Sequence, residues 1–143
     1  MRTPAEVQIH NLIHRYADHI DNARFEQAAD LFRRAVVVMG GEETDADGAL
    51  ARWRSVVTLH DGLPRTHHLM HNVIIDFNDD HTAAEVDTKY TVFQGLDGTI
   101  RPIITGGYRD AFACENDEWF FTRREYRMGL LGDLSQHLES RAT

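Results

Sequence analysis

The first half of the chain carries apolar side chains at the spacing of α-helices that bury one face. Three such runs are present, beginning near Ala5, Phe25 and Leu50. The segment from Thr3 to Glu6, with proline second, predicts a capping box at the start of helix one. Asp21-Asn22 is predicted to end helix one and to cap helix two.

Beyond the third helix the apolar period changes to two, which is typical of half-buried strands. A short β-branched run at 35–39 already predicts a strand, and the acidic stretch 42–47 is predicted to be a loop. Four long strands are predicted at 65–77, 82–93, 99–114 and 119–128. Gly106-Gly107 lies inside the third of these and predicts a bulge or bend.

Helices followed by a meander of long strands define an α+β class with an antiparallel sheet. Strands of this length must twist and bend strongly. We therefore predict a cone-shaped half-barrel, in which the N-terminal helices pack into a strongly curved, mostly antiparallel sheet. A single domain is expected over residues 1–143, with a C-terminal tail from 129 that forms a weak amphipathic turn or short helix.

Composition narrows the possible partners. The 143 residues include 15 Lys and Arg against 23 Asp and Glu, a formal net charge of −8. This field repels phosphate backbones and anionic lipids, so neither nucleic acid nor a membrane surface is an expected partner. One cysteine, Cys114, excludes an internal disulfide. Without an apolar run of roughly 20 residues or a signal peptide, a cytoplasmic protein is expected.

Nine histidines raise the question of a metal site. Side chains alternate along a strand, so His67 and His71 share one face while His68 points to the other. Four residues of strand separate His67 from His71 by roughly 13 Å, too far for two ligands of one ion. His10 and His14 have helical spacing, but the glutamate of the metalloprotease signature is missing. We predict neither metal nor cofactor.

Acid–base chemistry remains, because burial in a cone can tune a histidine–aspartate pair. Alternation places His68 on one strand face with Met70, Asn72 and Ile74. Tyr16 lies on the apolar face of helix one, and Asp21 can join it only if the helix breaks before residue 21. Spacing leaves open the ordinary roles of core tyrosine, helix cap and strand histidine. Four other histidines are expected to be solvated: His19, His60, His81 and His137.

Several segments together resemble the SnoaL-like family. They are 15–21 (RYADHID), Phe25, 30–32 (DLF), 66–73 (THHLMHNV), 107–110 (GYRD), 118–119 (EW) and 123–124 (RR). The resemblance implies the same cone fold and, as in scytalone dehydratase, bile acid 7α-dehydratase and lindane dehydrochlorinase, a cofactor-free His–Asp dyad. It places that dyad at His68 and Asp21, with a tyrosine at Tyr16. Tyr108 stands where scytalone dehydratase has a second histidine.

These observations predict a lyase of the dehydratase type, acting on a small cyclic or polycyclic apolar substrate. His68 would be the general base, Asp21 would orient it, and Tyr16 would donate a hydrogen bond. Candidate substrate-binding residues, for which core packing is the alternative, are Tyr108, Trp53, Phe25, Met70, Asn72, Phe112 and Arg124. Arg123 and Arg124 face opposite sides of one strand, and the sequence leaves open which of them faces the pocket.

Two other functions remain open, and the sequence also predicts that the chain forms an oligomer. The same base could move a double bond, as in ketosteroid isomerase. The chain could also be a non-catalytic subunit like the small subunits of ring-hydroxylating dioxygenases. Leu69, Val73, Ile75 and Phe77 alternate with His68, so both faces of that strand are apolar. A homo-oligomer, dimer or trimer, packed through the sheets is therefore expected.

Overall fold

The computed structural model describes residues 2–139, and within them three helices accompany one six-stranded sheet. The helices are α1 (Ala5–Asp21), α2 (Phe25–Asp30) and α3 (Ala46–Val56). The strands are β1 (Val36–Met39), β2 (Glu42–Thr44), β3 (Thr66–Phe77), β4 (Ala83–Leu96), β5 (Thr99–Glu115) and β6 (Glu118–Leu131). Their spatial order is β2-β1-β6-β5-β4-β3.

The α+β half-barrel expected from the sequence is confirmed. The four long strands form an antiparallel meander, and β1 adds parallel to β6, which gives a mostly antiparallel, curved and unclosed sheet. Helix α1 lies against β3 and β6, the two outer strands of the meander. Its buried side chains form the inner layer of the core: Ile9, Ile13, Tyr16, Ala17 and Ile20.

The helix ends differ from the sequence expectations. Helix α1 begins after Pro4, which occupies the N-cap position without a side-chain hydrogen bond, so the predicted capping box is absent. At its other end the helix runs through Asp21 and has Asn22 at the C-cap, as predicted, so it does not break before Asp21, which was the condition set for bringing this residue to the site. Arg24, not Asp21-Asn22, precedes α2 at its N-cap.

The acidic stretch predicted to be a loop contains strand β2, which pairs with β1 as a short hairpin. Beyond β2, Asp45 also has a defined role, because its carboxylate accepts a hydrogen bond of 2.9 Å from the Gly48 amide and caps α3. Such a cap satisfies one of the free amides of a helix start.

A bulge in β3 reverses its faces. Asn72 has a φ of +51°, and the pairing with β4 shifts register between His71 and Ile74. Asparagine tolerates this backbone conformation better than most residues. Beyond the bulge Val73 packs toward the core while Ile74 is 59% exposed. The predicted shared face of His68, Asn72 and Ile74 is therefore wrong.

The same bulge corrects the predicted outer face of β3. Val73, Ile75 and Phe77 pack against the core, and of the four apolar residues assigned to that face only Leu69 points outward, at 47% exposure.

The C-terminal segment is tied to the rest of the fold. Strand β6 extends through Leu131, so the predicted tail from 129 starts later than expected. The Thr58 amide donates to the His137 carbonyl at 2.8 Å, and the Glu139 amide donates to the Val56 carbonyl at 2.9 Å. Residues 140–143 of the predicted tail lie outside the described residues. In the described part of the chain, no helix has the length and apolarity needed to cross a membrane.

Candidate active site

Asp21 and His68 form a buried pair between α1 and β3. The Nδ1 atom of His68 lies 2.5 Å from Oδ1 of Asp21, and the side chains of His68 and Asp21 are 7% and 12% exposed. Asp21 occupies the last position of α1, and the packing of this helix on β3 brings its carboxylate to the strand. The continuous helix thus achieves the contact that was expected to need a break.

The Asp21 carboxylate is held by three donors. Thr66 Oγ1 donates to Oδ1 at 2.8 Å, and the His68 amide donates to Oδ2 at 2.7 Å. A carboxylate only accepts hydrogen bonds, so the facing Nδ1 carries the imidazole proton. Nε2 of His68 then has the free lone pair, and no hydrogen bond to it occurs among residues 2–139. This is the tautomer that a general base requires.

The His68 ring has two aromatic neighbours. The ring centre of Tyr90 lies 6.5 Å away and that of His137 lies 6.3 Å away. His137 was expected to be solvated, but it is 6% exposed, because the C-terminal segment folds back against the chain after α3. Burial and the nearby His68 lower the pKa of His137 to about 4.

A chain of aromatic rings runs inward from the dyad. Tyr90 stacks on Tyr108 with ring centres 4.8 Å apart, and Tyr108 meets Tyr16 edge-on at 5.7 Å. Gly106 makes room for this stack, because a Cβ at that position would collide with the Tyr90 ring. Tyr16 in turn lies 5.9 Å from Trp53. These rings form one continuous aromatic wall: Tyr90, Tyr108, Tyr16 and Trp53.

Tyr16 is partnered within this wall. The hydroxyl groups of Tyr126 and Tyr16 are hydrogen-bonded at 2.8 Å. Tyr16 is 3% exposed. Burial raises the pKa of both Tyr16 and Tyr108, and it raises the pKa of Tyr90 to about 12. The hydroxyls are therefore neutral near pH 7 and can act as hydrogen-bond donors.

Arg124 lies beneath the tyrosines as a buried cation. It forms a two-pronged ion pair with Asp110, with N···O distances of 2.6 and 2.8 Å, and both side chains are 0% exposed. Its guanidinium carbon stands 3.8 Å from the centre of the Tyr108 ring. Burial alone would lower the pKa of Arg124, but the facing carboxylate raises it. Arg123 points outward, to Glu43 and Glu125.

The remaining predicted pocket residues lie in three different environments: a cleft beside the dyad, the core and the surface. Met70 is half-buried and borders a cleft of about 360 Å³ between α1 and β3, which opens onto Asp21 and His68. Phe25 and Phe112 are core residues, and Phe112 packs against Phe121 with ring centres 4.4 Å apart. Asn72 is exposed at the bulge, where it bonds to His71, and the structure does not bring it to the dyad.

Several functional candidates were missed from the sequence. Tyr90 and Tyr126 both lie on the inward face of long strands, so strand alternation could have revealed them, whereas Tyr108 was found through the family resemblance. Asp110 could have been paired with Arg124, because the strands are antiparallel neighbours and the two residues are in register. His137 had no comparable signal, since its burial depends on distant chain contacts.

Fold and site together define a class: an unclosed α+β half-barrel in which an aspartate ending the first helix bonds a histidine on the first long strand. The family model of the SnoaL-like domain matches residues 1–125. The chain belongs to the SnoaL-like family. Among curated proteins, none matches its sequence.

Solved structures share the fold at low identity. A candidate scytalone dehydratase from Novosphingobium aromaticivorans is 24% identical, with a TM-score of 0.68 over 90% of this chain and 86% of that chain. The beta subunit of a candidate aromatic-ring-hydroxylating dioxygenase from the same organism is 20% identical, with a TM-score of 0.69 over 93% and 95%. An NTF2-like protein with a cystatin-like fold, also from this organism, is 17% identical, with a TM-score of 0.65 over 86% and 80%.

Proposed function

We propose that this protein is a cofactor-independent lyase of the dehydratase type. The observation that carries the proposal is the buried Asp21–His68 pair, in which the carboxylate fixes Nδ1–H and leaves Nε2 as a base. Elimination of water from a β-hydroxy carbonyl compound needs such a base to remove the proton next to the carbonyl. Asp21 then stabilises the imidazolium that forms, without taking the proton itself.

The elimination balances within the site. The carbon–hydrogen bond breaks and its proton moves to Nε2 of His68. The carbon–oxygen bond at the neighbouring carbon then breaks, and the leaving oxygen takes a proton back from His68 to depart as water. The enzyme ends in its starting protonation state, so no co-reactant is consumed.

Tyr16 is proposed to stabilise the negative charge that develops on the carbonyl oxygen. In this role Tyr16 gives its proton to the substrate while Tyr126 donates to the Tyr16 oxygen, and the cation of Arg124 lies 4.6 Å from the Tyr16 ring centre. A donor that is already oriented inside a buried site is worth more than the same donor in water.

The substrate class follows from the aromatic wall. Tyr90, Tyr108, Tyr16 and Trp53 pack into a mainly apolar interior next to the dyad, and the three tyrosines add hydroxyl groups to it. Such an interior suits a small cyclic or polycyclic molecule that carries a few oxygens. A candidate scytalone dehydratase is among the proteins that share this fold.

The test is turnover of a bicyclic β-hydroxy ketone such as 3-hydroxy-1-tetralone, which gives 1-naphthol on loss of water. The expected product is lighter than the substrate by one water, and its formation should require His68. A double-bond isomerase would leave this ketone unchanged and would instead convert a β,γ-unsaturated cyclic ketone into its conjugated isomer of the same mass. Absence of turnover across a panel of hydroxylated aromatic, steroid and polyketide-like compounds, together with co-purification with a larger oxygenase, would favour a non-catalytic subunit.

A further inference from the structure

His137 is the second histidine at the dyad, and it comes from the C-terminal segment. Its ring centre lies 6.3 Å from that of His68, with the ring planes inclined at 69°. Two backbone hydrogen bonds join its segment to the last residue of α3 and to the chain that follows, and the Gln94 side-chain amide donates to the carbonyl of Gln136 at 2.9 Å. These contacts anchor His137 beside the dyad.

The Nδ1 atom of this ring is buried without a hydrogen-bond partner in the part of the chain that the structure describes. A buried polar atom left unpaired carries a desolvation cost, so native proteins seldom keep one without a reason. His137 as a whole is 6% exposed. With its pKa lowered to about 4, it is neutral near pH 7 and offers one donor and one acceptor nitrogen.

We propose that His137 is a substrate-contacting residue whose Nδ1 hydrogen-bonds the hydroxyl group that the substrate loses. This inference rests on the proposed function and adds the group that recognises the leaving oxygen. Two hydrogen bonds of about 2.9 Å can connect one oxygen to two imidazoles at this ring separation. One hydroxyl can thus lie between His137 and His68.

His137 contributes by orientation and takes no proton in the net reaction. As the carbon–oxygen bond breaks, the electron pair moves to oxygen, and a hydrogen bond from Nδ1–H stabilises the developing charge. The proton that completes the water molecule comes from His68, which received it from carbon. Residue 137 lies beyond the matched range 1–125, so this contact is supplied by the segment that follows the matched domain.

The first test measures binding without turnover. The whole chain is titrated with 2-tetralol, which has the bicyclic ring and hydroxyl but no carbonyl, and with tetralin, which lacks the hydroxyl. Wild-type protein should bind 2-tetralol about three- to tenfold more tightly than tetralin, the effect of one hydrogen bond. His137→Phe keeps a ring of similar size and should abolish the preference, whereas His137→Asn places an amide near the former Nδ1 and should retain it.

A neighbouring histidine, His60, provides the control for the binding test. His60 donates from Nε2 to the carbonyl of Gln136 at 2.8 Å, so His60→Gln perturbs the same segment without changing the ring at 137. It should keep the wild-type preference. Equal affinity for the two ligands in wild-type protein, or an unchanged preference in His137→Phe, overturns the inference and assigns Nδ1 to an ordered water.

A kinetic test separates the inference from the proposed function. With 3-hydroxy-1-tetralone, His137→Phe should raise KM and lower kcat together, with partial recovery in His137→Asn. Full activity in His137→Phe overturns the inference while the dehydratase proposal stands. A hydroxyl preference that depends on His137, in a protein that turns over no β-hydroxy ketone, supports the contact and contradicts the dehydratase function.

Discussion

The Nδ1 atom of His68 and Oδ1 of Asp21 lie 2.5 Å apart although 47 positions of chain separate the two residues. The contact exists because the last turn of α1 lies beside the first residues of β3, where Thr66 and the His68 amide complete the carboxylate's hydrogen bonds. The donors to Asp21 thus come from one short stretch of one strand. That arrangement fixes the imidazole in a single orientation.

Removal of either dyad member should lower turnover and leave the fold intact. For His68→Ala and Asp21→Asn we expect kcat to fall by about 10²–10⁴-fold, the usual contribution of a positioned base. Asp21→Asn should act through the wrong tautomer, since an amide can donate to Nδ1 and leave the proton on Nε2. Steady-state kinetics and circular dichroism measure the two effects.

Two neighbours serve as controls for the dyad variants. His67 is exposed on the opposite face of β3, and Asp18 lies one turn before Asp21 on the surface of α1. His67→Ala and Asp18→Asn should retain kcat within about twofold, because neither side chain is hydrogen-bonded to the dyad and the exposed Asp18–Arg24 ion pair contributes little. Full activity in both His68→Ala and Asp21→Asn would rule out the dyad as the catalytic pair.

The tyrosine pair makes a graded prediction. Tyr16→Phe removes the proposed donor and should lower kcat by about 10²–10³-fold, as for loss of one preorganised donor at a developing charge. Tyr126→Phe removes only the partner of that donor and should have a smaller effect on kcat. If Tyr126→Phe were the more damaging variant, the donor would be Tyr126 and the assignment of Tyr16 would fail.

The elements of this fold could be predicted because their signals are local. Helical periods located α1, α2 and α3, and alternation located the four long strands within a few residues. The bulge at Asn72 could not be predicted in this way, because a single asparagine with φ of +51° reverses every face that follows it. The same extra residue moved Ile74 out of the predicted inner face.

The site was only partly accessible to the same reasoning. His68 lies before the bulge, so alternation placed it on the inward side with Met70. The Asp21 contact depended on the family resemblance, since helical phase alone separates this residue from the Tyr16 face. His137 escaped because its burial arises from hydrogen bonds to Val56 and Thr58, which no local period encodes.

Substitution of one partner of the buried Asp110–Arg124 ion pair should lower the unfolding free energy strongly. Asp110→Asn or Arg124→Met leaves an uncompensated charge or donor at 0% exposure and should cost about 3–5 kcal/mol of unfolding free energy. The double variant Asp110→Leu/Arg124→Met should be more stable than the less stable single variant, because it removes both charges. Urea denaturation measures these differences.

Arg109 lies on the same strand as Asp110, and its surface ion pairs provide the comparison. Arg109 bonds Asp87 and Glu85 on the outward side of the sheet, at 2.6 Å in each case. Arg109→Met should cost at most about 1 kcal/mol, since exposed ion pairs are screened by water and salt. A similar loss of stability for Arg109→Met and Arg124→Met would contradict the view that burial decides the cost of breaking an ion pair in this fold.

The expected homo-oligomer can be tested on the outward surface. Three of the four β3 residues from which the oligomer was predicted face the core. Other apolar side chains are exposed on the outward surface: Leu69 at 47%, Ile74 at 59% and Leu130 at 77%. Ile74 and Leu130 border one groove on the sheet. We expect light scattering to show a dimer or trimer and Ile74→Glu to dissociate it, with Glu85→Gln as the control. A monomeric wild-type protein would contradict this prediction.

His137 should also make stability depend on pH. Its charged form is disfavoured by burial and by His68 and His60, and favoured by Asp21, with a net lowering of the pKa to about 4. The ordinary value of 6.5 applies to the unfolded chain, which therefore binds more protons than the folded chain between pH 4 and 6.5. The contribution of His137 to stability is complete above pH 6.5 and is lost as the pH falls toward 4.

Denaturation of two variants across this window tests the linkage. A pKa lowered from 6.5 to about 4 corresponds to about 3 kcal/mol lost between pH 7 and pH 4. His137→Phe cannot titrate, so its unfolding free energy should fall by that much less than wild type over the same range. His81→Gln, which removes an exposed histidine, should keep the wild-type slope. Parallel slopes for wild type and His137→Phe would mean that His137 titrates normally in the folded protein, and its assignment as a neutral partner of His68 would fail.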